Sequence, residues 1–249
     1  MAEARPLTAL IGALSTSETA RSVWTALLSH LRGEGIGGVS YHHRGLSPGA
    51  RAGSYDMRDD GFPEGWSRAY REERLWLTDP ILERAMASPA PVSWSEAAGD
   101  AALDAPRRAF VSRLAEEVGP DGIGIGVFGP AQRSGYVSLS LPGGGEFPGP
   151  AKLGELQAAA QAAHLRLCTI NGEQARRAHR LTAREIEVLR WMALGKSNAL
   201  IAEILGVSFH TVDTVVRRIY AKLEVSDRTT AAVRGLGLGI VDYVDRGPG

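Results

Sequence analysis

Apolar side chains change their spacing several times along this chain of 249 residues, and each change marks an element. Over residues 14–32, Val23, Leu27, Leu28 and Leu31 recur at helical intervals behind the capping candidates Ser15 and Ser17. Ile36 to His43 follows glycines and reads as a strand, and a loop rich in Gly, Ser and Arg is expected from there to about Gly61. Trp66 to Leu75 has a helical pattern. Asp79-Pro80-Ile81 opens another helix: the Asp side chain can accept from the first amides, and Pro at the first position lacks only an N–H that would go unused. Ala105 to Val118 is a further helix, with Phe110, Leu114 and Val118 on one face. Gly122 to Phe128 and Gly135 to Leu141 are short strands parted at Gly129-Pro130, and Pro142 to Pro150 is a turn-rich connection.

Lys152 to Thr169 reads as a long helix whose Leu153, Leu156, Ala160, Ala163 and Leu167 make a narrow apolar seam. Such a seam suits either a partner helix or the helix's own domain. Asn171 to Arg180 is polar with little periodicity, the best candidate for a linker, and everything beyond it is helical. Thr182-Ala-Arg-Glu185 is a capping box ahead of an apolar run that ends at Gly195. Ser197 caps a helix from Asn198 to Leu205, Gly206 makes the turn, Val207 packs inward, Ser208 caps a third helix to Leu223, and a fourth starts near Ser226. A small Ala202, a turn glycine and an apolar lock are the parts of a helix-turn-helix, whose second helix enters a DNA major groove; the plainer alternative is an ordinary helical hairpin.

Composition removes several classes. Apolar residues make up 44 % of the chain, enough for packed cores. Thirty glycines occur without a G-x-y repeat, which excludes collagen. The one cysteine, Cys168, can form neither a disulfide within the chain nor a multi-thiolate metal site. No run approaches the ~18 apolar residues of a membrane span. Glu3 and the short patch Leu7 to Leu14 lack the cationic start and cleavage site of a signal peptide, so a cytoplasmic location is expected, with no membrane partner. Phosphate-loop, zinc-protease and serine-elbow signatures are missing, so neither an enzyme nor a cofactor-dependent protein is expected. Gly124-Ile-Gly-Val-Phe-Gly129 matches G-x-G-x-x-G, but Pro130 follows where a phosphate-binding helix would have to begin, so these glycines belong in or beside a strand. Adjacent His42 and His43 would face opposite sides of a strand and are read as surface residues, with no metal site expected.

Twenty-eight cationic and twenty-eight acidic side chains cancel, which taken alone argues against a nucleic-acid partner. The balance is uneven, however. Residues 1–175 hold 16 Lys+Arg against 20 Asp+Glu, and residues 176–249 hold 12 against 8, so a module of −4 precedes one of +4.

The series Leu181-Thr-Ala-Arg-Glu185, Val188-Leu189, Trp191, Gly195-Lys196-Ser-Asn198, Ile201-Ala202, Leu205-Gly-Val-Ser208, Thr211-Val212, Ile219, Lys222-Leu223-Glu-Val225 and Arg228 resembles the LuxR-type DNA-binding domain in order and spacing. The resemblance implies that Asp213, Thr214 and Arg217 face base edges and that Lys196, Ser208, Thr211 and Arg218 meet phosphates. Helical spacing agrees, since residues 213, 214 and 217 share one face near the start of the third helix. Cationic side chains there would make binding salt-sensitive. The chain departs from the family at Val215 (often His), Arg218 (often Asn), Leu200 (often Glu) and Gly235 (often Ala); Val215 and Leu200 are read as packing variants. Asp213 would be repelled by phosphates unless it accepts from a cytosine amino group.

Residues 1–130 lack the alternating strand–helix pattern and acidic positions of a phosphoacceptor receiver. Instead Phe62-Pro63-x-x-Trp66-x-x-x-Tyr70, Asp79-Pro80, Trp94, Gly122 and Ser138 resemble the acyl-homoserine-lactone-binding domain of quorum-sensing regulators. By that resemblance Trp66 donates to a lactone carbonyl, Asp79 accepts from the ligand amide, Tyr70 and Ser138 donate to the acyl carbonyl, Trp94 packs on the lactone ring and Gly122 leaves room beside the backbone. Phe62 stands where many relatives have Tyr. Simpler roles exist for each: Asp79 as a helix cap, the tryptophans as core residues, Gly122 as a turn. The implied fold class is α+β, with an N-terminal α/β/α sandwich around an antiparallel sheet and a C-terminal all-α four-helix helix-turn-helix domain. The implied domains are 1–170 for the autoinducer, 171–180 as linker and 181–249 for DNA. The expected partners are promoter DNA, an N-acyl-homoserine lactone and a second copy of the chain, with RNA polymerase a further partner open to a promoter-bound regulator. The competing expectations are a regulator answering an aryl or branched acyl lactone or a non-lactone signal, and one binding DNA without ligand.

Overall fold

The computed structural model describes residues 6–43, 56–130, 133–143 and 147–242. They divide into two compact units, one built on residues 6–43, 56–128 and 134–167, the other on residues 168–242 with the turn residues 129, 130 and 133. The fold is α+β.

In the first unit, helices α1 (Leu7–Thr16) and α2 (Ala20–Gly33) replace the single helix expected over 14–32. The break has a local cause: Thr19 and Ser22 form a reciprocal capping box that starts α2 afresh. The sheet has five strands: β1 (Gly38–His43), β2 (Asp56–Asp60), β3 (Val92–Ser93), β4 (Gly122–Phe128) and β5 (Ser134–Ser140). Their order is β2-β1-β5-β4-β3, and every pair is antiparallel. Strand β2 lies inside the segment expected to be loop. Its sequence, Asp-Met-Arg-Asp-Asp, has no apolar alternation because it is an edge strand, half-buried throughout, and charge on an edge discourages further pairing. The remainder of that expected loop lies outside the described residues.

Helices α3 (Glu64–Glu72), α4 (Pro80–Ala87) and α6 (Ala105–Glu117) follow the predicted patterns, with a 3-10 turn at Leu75–Leu77, whereas the short helix α5 (Trp94–Ala98) is not among the predicted elements. Strand β4 explains how two of them seat. Ile123, Ile125 and Val127 are fully buried on one face, and alternation turns Gly122, Gly124 and Gly126 to the other. A Cβ at 122 would stand 2.4 Å from the Trp94 ring, one at 124 would stand 2.7 Å from Ile81, and one at 126 would stand 2.4 Å from the Ala85 carbonyl oxygen. The glycine stripe therefore lets α4 and α5 rest directly on the sheet. It is a packing surface, in keeping with the strand reading of the G-x-G-x-x-G match. The opposite face carries α7 (Pro150–Ala178), whose fully buried His164 reaches the Tyr41 hydroxyl of β1 at 2.9 Å. Layers of helix, sheet and helix result.

The seam of α7 is buried at Leu156, Ala160, Ala163 and Leu167, so those side chains pack within the chain. Nor is the expected linker a coil. Residues 171–178 continue α7, because Glu, Gln, Ala and Arg are good helix formers and no proline intervenes. The helix stops before Arg180, which takes a left-handed backbone conformation.

The second unit packs α8 (Ala183–Ala193), α9 (Asn198–Ile204), α10 (Phe209–Leu223) and α11 (Arg228–Gly237) around Leu189, Ile201, Val212, Ile219 and Leu223. The Thr182 capping box is present: the Thr182 amide donates to Glu185 at 2.7 Å, and the Glu185 amide donates to the Thr182 hydroxyl at 3.3 Å. Burial alone would raise the Glu185 carboxyl, but Lys222 at 2.6 Å and the Thr182 donors outweigh it and hold the group below its ordinary value. Among the described residues no single helix is long and apolar enough to cross a membrane.

The close seating of α4 has a direct consequence. In Gly126→Ala the added methyl meets a backbone carbonyl that cannot swing aside, so the substitution should cost about 1–3 kcal/mol. Urea denaturation checks this, and an unchanged midpoint would rule out the close approach.

Candidate signal pocket and DNA-reading helix

Between the glycine side of the sheet and helices α3, α4 and α6 lies a small cavity. It is lined by Ser40, His42, Met57, Phe62, Trp66, Tyr70, Asp79, Ile81, Phe110, Leu114, Tyr136 and Ser138. The space open to water centres is about 10 Å³, room for roughly one water molecule. Local chemistry sets the walls. Trp66 and Tyr70 are one turn apart on α3, both buried, with ring centroids 6.2 Å apart. Asp79 sits at the start of α4, where one carboxylate oxygen accepts from the Ile81 and Leu82 amides at 2.9 and 3.0 Å. Its other oxygen accepts the Tyr70 hydroxyl at 2.7 Å.

Asp79 is thus a helix cap and a pocket wall at once. Burial pushes its carboxyl from an ordinary value of 3.8 up to about 6, against the lowering effect of the Leu82 amide, the Tyr70 hydroxyl and the Ile81 amide. The Tyr70 hydroxyl donates to Asp79 in this structure. Ser138 lines the cavity from β5, and among the described residues its hydroxyl makes no hydrogen bond.

Trp94 and Gly122 stand apart from the lining set. The space above Gly122 is filled by the Trp94 indole, so the room expected beside that backbone belongs to another side chain of the protein. Trp94 is 2 % exposed, lies 6.4 Å from Phe62 between ring centroids, and has an Nε1–H buried without a hydrogen-bond partner among the described residues.

Sequence reasoning missed Ser40, His42 and Tyr136. Strand pairing sets Ser40 opposite Ser138 and His42 opposite Tyr136, a relation that no local pattern encodes. His42 and His43 do face opposite sides of β1, yet both are buried, at 1 % and 4 % exposure, and are not surface residues. Burial pushes the His42 imidazole down to about 3, so it is neutral under ordinary conditions.

In the second unit α9 and α10 meet at 114° across the Gly206 turn, the geometry of a helix-turn-helix. Ser208 caps α10: its hydroxyl accepts from the Thr211 amide at 3.1 Å and lies 2.8 Å from the Thr211 hydroxyl. Val212, Val215, Val216 and Ile219 turn inward, while Thr211, Arg217 and Arg218 are exposed and Asp213 and Thr214 half-exposed. The puzzle of Asp213 resolves locally, because its carboxylate meets the Arg217 guanidinium at 2.8 Å one turn along. Lys196 lies in the turn before α9, where its carbonyl accepts from Arg228. Val215 is a packing position as expected, but Leu200 is 39 % exposed and is not. Gly235 is accounted for by contact: a Cβ there would stand 2.9 Å from Leu189.

Residues 19–167 match the family model of the autoinducer binding domain, and residues 179–234 match that of the bacterial regulatory proteins, luxR family. The chain is 30 % identical over 206 residues to RpaR of Rhodopseudomonas palustris, a quorum sensing-dependent transcriptional regulator, covering 82 % of this chain and 83 % of that protein. It is 29 % identical over 191 residues to the transcriptional activator AnoR of Acinetobacter nosocomialis, covering 73 % and 77 %. Among solved structures, SdiA of Escherichia coli has a similar fold, with a TM-score of 0.72 at 19 % identity over 96 % of this chain and 98 % of that one.

The raised Asp79 carboxyl carries a pH signature. A carboxyl that prefers its protonated form in the folded state contributes fully below pH 3.8, and that contribution is lost as pH rises through about 6. Asp79→Asn keeps an oxygen to cap α4 and removes the charge. Its stability relative to the unsubstituted protein should therefore improve by about 2 kcal/mol between pH 4.5 and pH 7.5. Urea unfolding at the two pH values measures this, and a pH-independent difference would contradict it.

Proposed function

This chain belongs to the LuxR family of quorum-sensing transcriptional regulators, and we propose that the signal it answers is an N-acyl-homoserine lactone held in the cavity beneath α3 and α4. The observation that carries this reading is the Asp79 carboxylate, buried among aromatic rings with hydrogen bonds from Tyr70, Ile81 and Leu82 and, among the described residues, with no cation beside it. A charge in such a place gains from one more donor. A ligand amide N–H is such a donor. Trp66 offers an indole N–H to the lactone carbonyl, Ser138 offers its hydroxyl to the acyl carbonyl, and the Tyr70 ring and Phe62 cover the apolar part. Trp94, behind Phe62 and over Gly122, backs the lactone end. The cavity is too small for such a guest until its walls part, which couples binding to local rearrangement and makes ligand affinity part of folding stability.

The output is transcriptional. In this reading two copies of the chain pair and set two α10 helices into successive major grooves of a partly palindromic promoter site, with RNA polymerase a further partner. Arg217, steadied by Asp213, reads base edges together with Thr214, while Lys196, Ser208, Thr211 and Arg218 meet phosphates. A surplus of only four cations over residues 176–249 makes each module a weak binder by itself, so pairing supplies much of the affinity. No step of this account needs catalysis or a cofactor, and it fits a cytoplasmic protein meeting a diffusible signal.

Thermal melting with a panel of straight-chain, branched and aryl acyl lactones and a monoacylglycerol tests the signal. At a hundredfold excess over Kd, a binder should add about 3 kcal/mol of stability, visible as a rise of several degrees. A response to the monoacylglycerol alone would replace the lactone with a non-lactone signal, and tight DNA binding without any response would replace it with ligand-independent action. On the DNA side, Arg217→Ala should weaken specific binding by about 1–3 kcal/mol and relax selectivity at one base pair. An equal loss on all sequences, measured by fluorescence anisotropy, would make Arg217 a phosphate contact.

A further inference from the structure

The outward face of α10 begins with a side chain that takes no part in the core. Phe209, the first residue of the helix, is 57 % exposed. The helix buries its other large apolar residues, Val212, Val215, Val216 and Ile219, in the core of the second unit. The remaining outward residues of its first three turns are all polar: His210, Thr211, Asp213, Thr214, Arg217 and Arg218. We propose that Phe209 is a specificity residue of the DNA-reading helix, its ring resting on the C5-methyl group of a thymine in the major groove.

Spacing, place and chemistry carry this, and it rests on the DNA-reading role of α10. A single exposed apolar residue is ordinary on a protein surface; what assigns this one is its line. Phe209 stands four residues before Asp213 and eight before Arg217, so the three follow one another along one side of the helix. The Asp213 carboxylate and Arg217 guanidinium, 2.8 Å apart, fix the later part of that stripe, and the aromatic ring continues it toward the N-terminus. A recognition helix meets base edges with its N-terminal residues, and helix side chains lean toward that end. The Ser208 cap, which holds the Thr211 amide at 3.1 Å, fixes the backbone that bears the ring. Finally, a phenyl ring has no hydrogen bond to offer a phosphate or a polar base edge. Of the four bases, thymine alone presents an apolar group in the major groove. A cytosine amino group at the same place would lose water without gaining a partner, so the ring both favours thymine and rejects cytosine.

The test selects duplexes from a randomised pool with the full chain and with Phe209→Ala, in the absence and presence of the lactones of the thermal panel. Because the ring is exposed, the variant should melt as the unsubstituted protein does. The unsubstituted chain should enrich a thymine at one base pair of each half-site where Phe209→Ala accepts any base, with the same preferences elsewhere. In the selected site, deoxyuridine in place of that thymine removes only the methyl group. It should weaken the unsubstituted chain about fourfold, the worth of one buried methyl, and leave Phe209→Ala unaffected. The same enriched sequence from both proteins, or an equal effect of deoxyuridine on both, would overturn the proposal and leave DNA reading by α10 intact. So would a uniform loss of affinity in Phe209→Ala on every sequence, which makes the ring a backbone contact, or a loss of self-association with base preferences unchanged, which makes it a contact between copies of the chain. If neither protein enriches any sequence, the DNA-reading role of α10 falls and the proposal with it.

Discussion

Everything in the signal pocket depends on how close a helix can come to a sheet. Gly122, Gly124 and Gly126 present bare backbone on one face of β4, and onto it settle Trp94, Ile81 and the Ala85 carbonyl. A methyl group on any of the three would lift α4 or α5 from the sheet. Because α4 lies so low, its N-terminal cap, Asp79, is carried below the surface and into contact with Tyr70. The glycine excess that composition alone reads as a surplus of turns is here partly a packing device. The same stripe that mimics a nucleotide-binding motif is a packing surface for α4 and α5.

The buried carboxylate is the electrostatic consequence of that packing. A helix cap normally lies at the surface, where water shares the charge. At Asp79 the same two amide bonds are made in an apolar surrounding, and the charged form is disfavoured. The two readings of Asp79, cap and ligand contact, are therefore not rivals. Capping is what places the carboxylate there. The second unit follows a similar economy: Asp213, awkward beside phosphate, is held by Arg217 one turn away, so one cation is steadied and one anion neutralised on the same helix face.

What the sequence made legible is what short-range chemistry decides. Caps at Asp79, Thr182, Ser197 and Ser208 are read from a few neighbouring residues, and each makes its amide bond. Strands β4 and β5 are legible from β-branched alternation between glycines. The helix-turn-helix is legible because its turn glycine and inward apolar positions have fixed spacing. What stayed hidden depends on pairing across long separations. Strand β2 has a polar sequence because it is an edge, and nothing within it announces a partner. Ser40 and His42 become pocket residues only when β1 pairs with β5 in one register. Trp94 and Gly122, each singled out for a ligand, turn out to face one another. The continuation of α7 through residue 178 was masked by weak periodicity, although the helix-forming residues were in view.

The central claim is that the Asp79 carboxylate receives the amide N–H of an acyl lactone, and the most direct measurement changes that one group in the ligand. An ester isostere, with oxygen in place of the amide N–H, keeps size and shape but offers Asp79 a lone pair instead of a proton. Titration calorimetry at pH 7.5 of the parent lactone and its ester should show the ester binding weaker by tenfold or more, since a charged acceptor loses its donor. Equal affinity for the two would mean that Asp79 is a helix cap and nothing more.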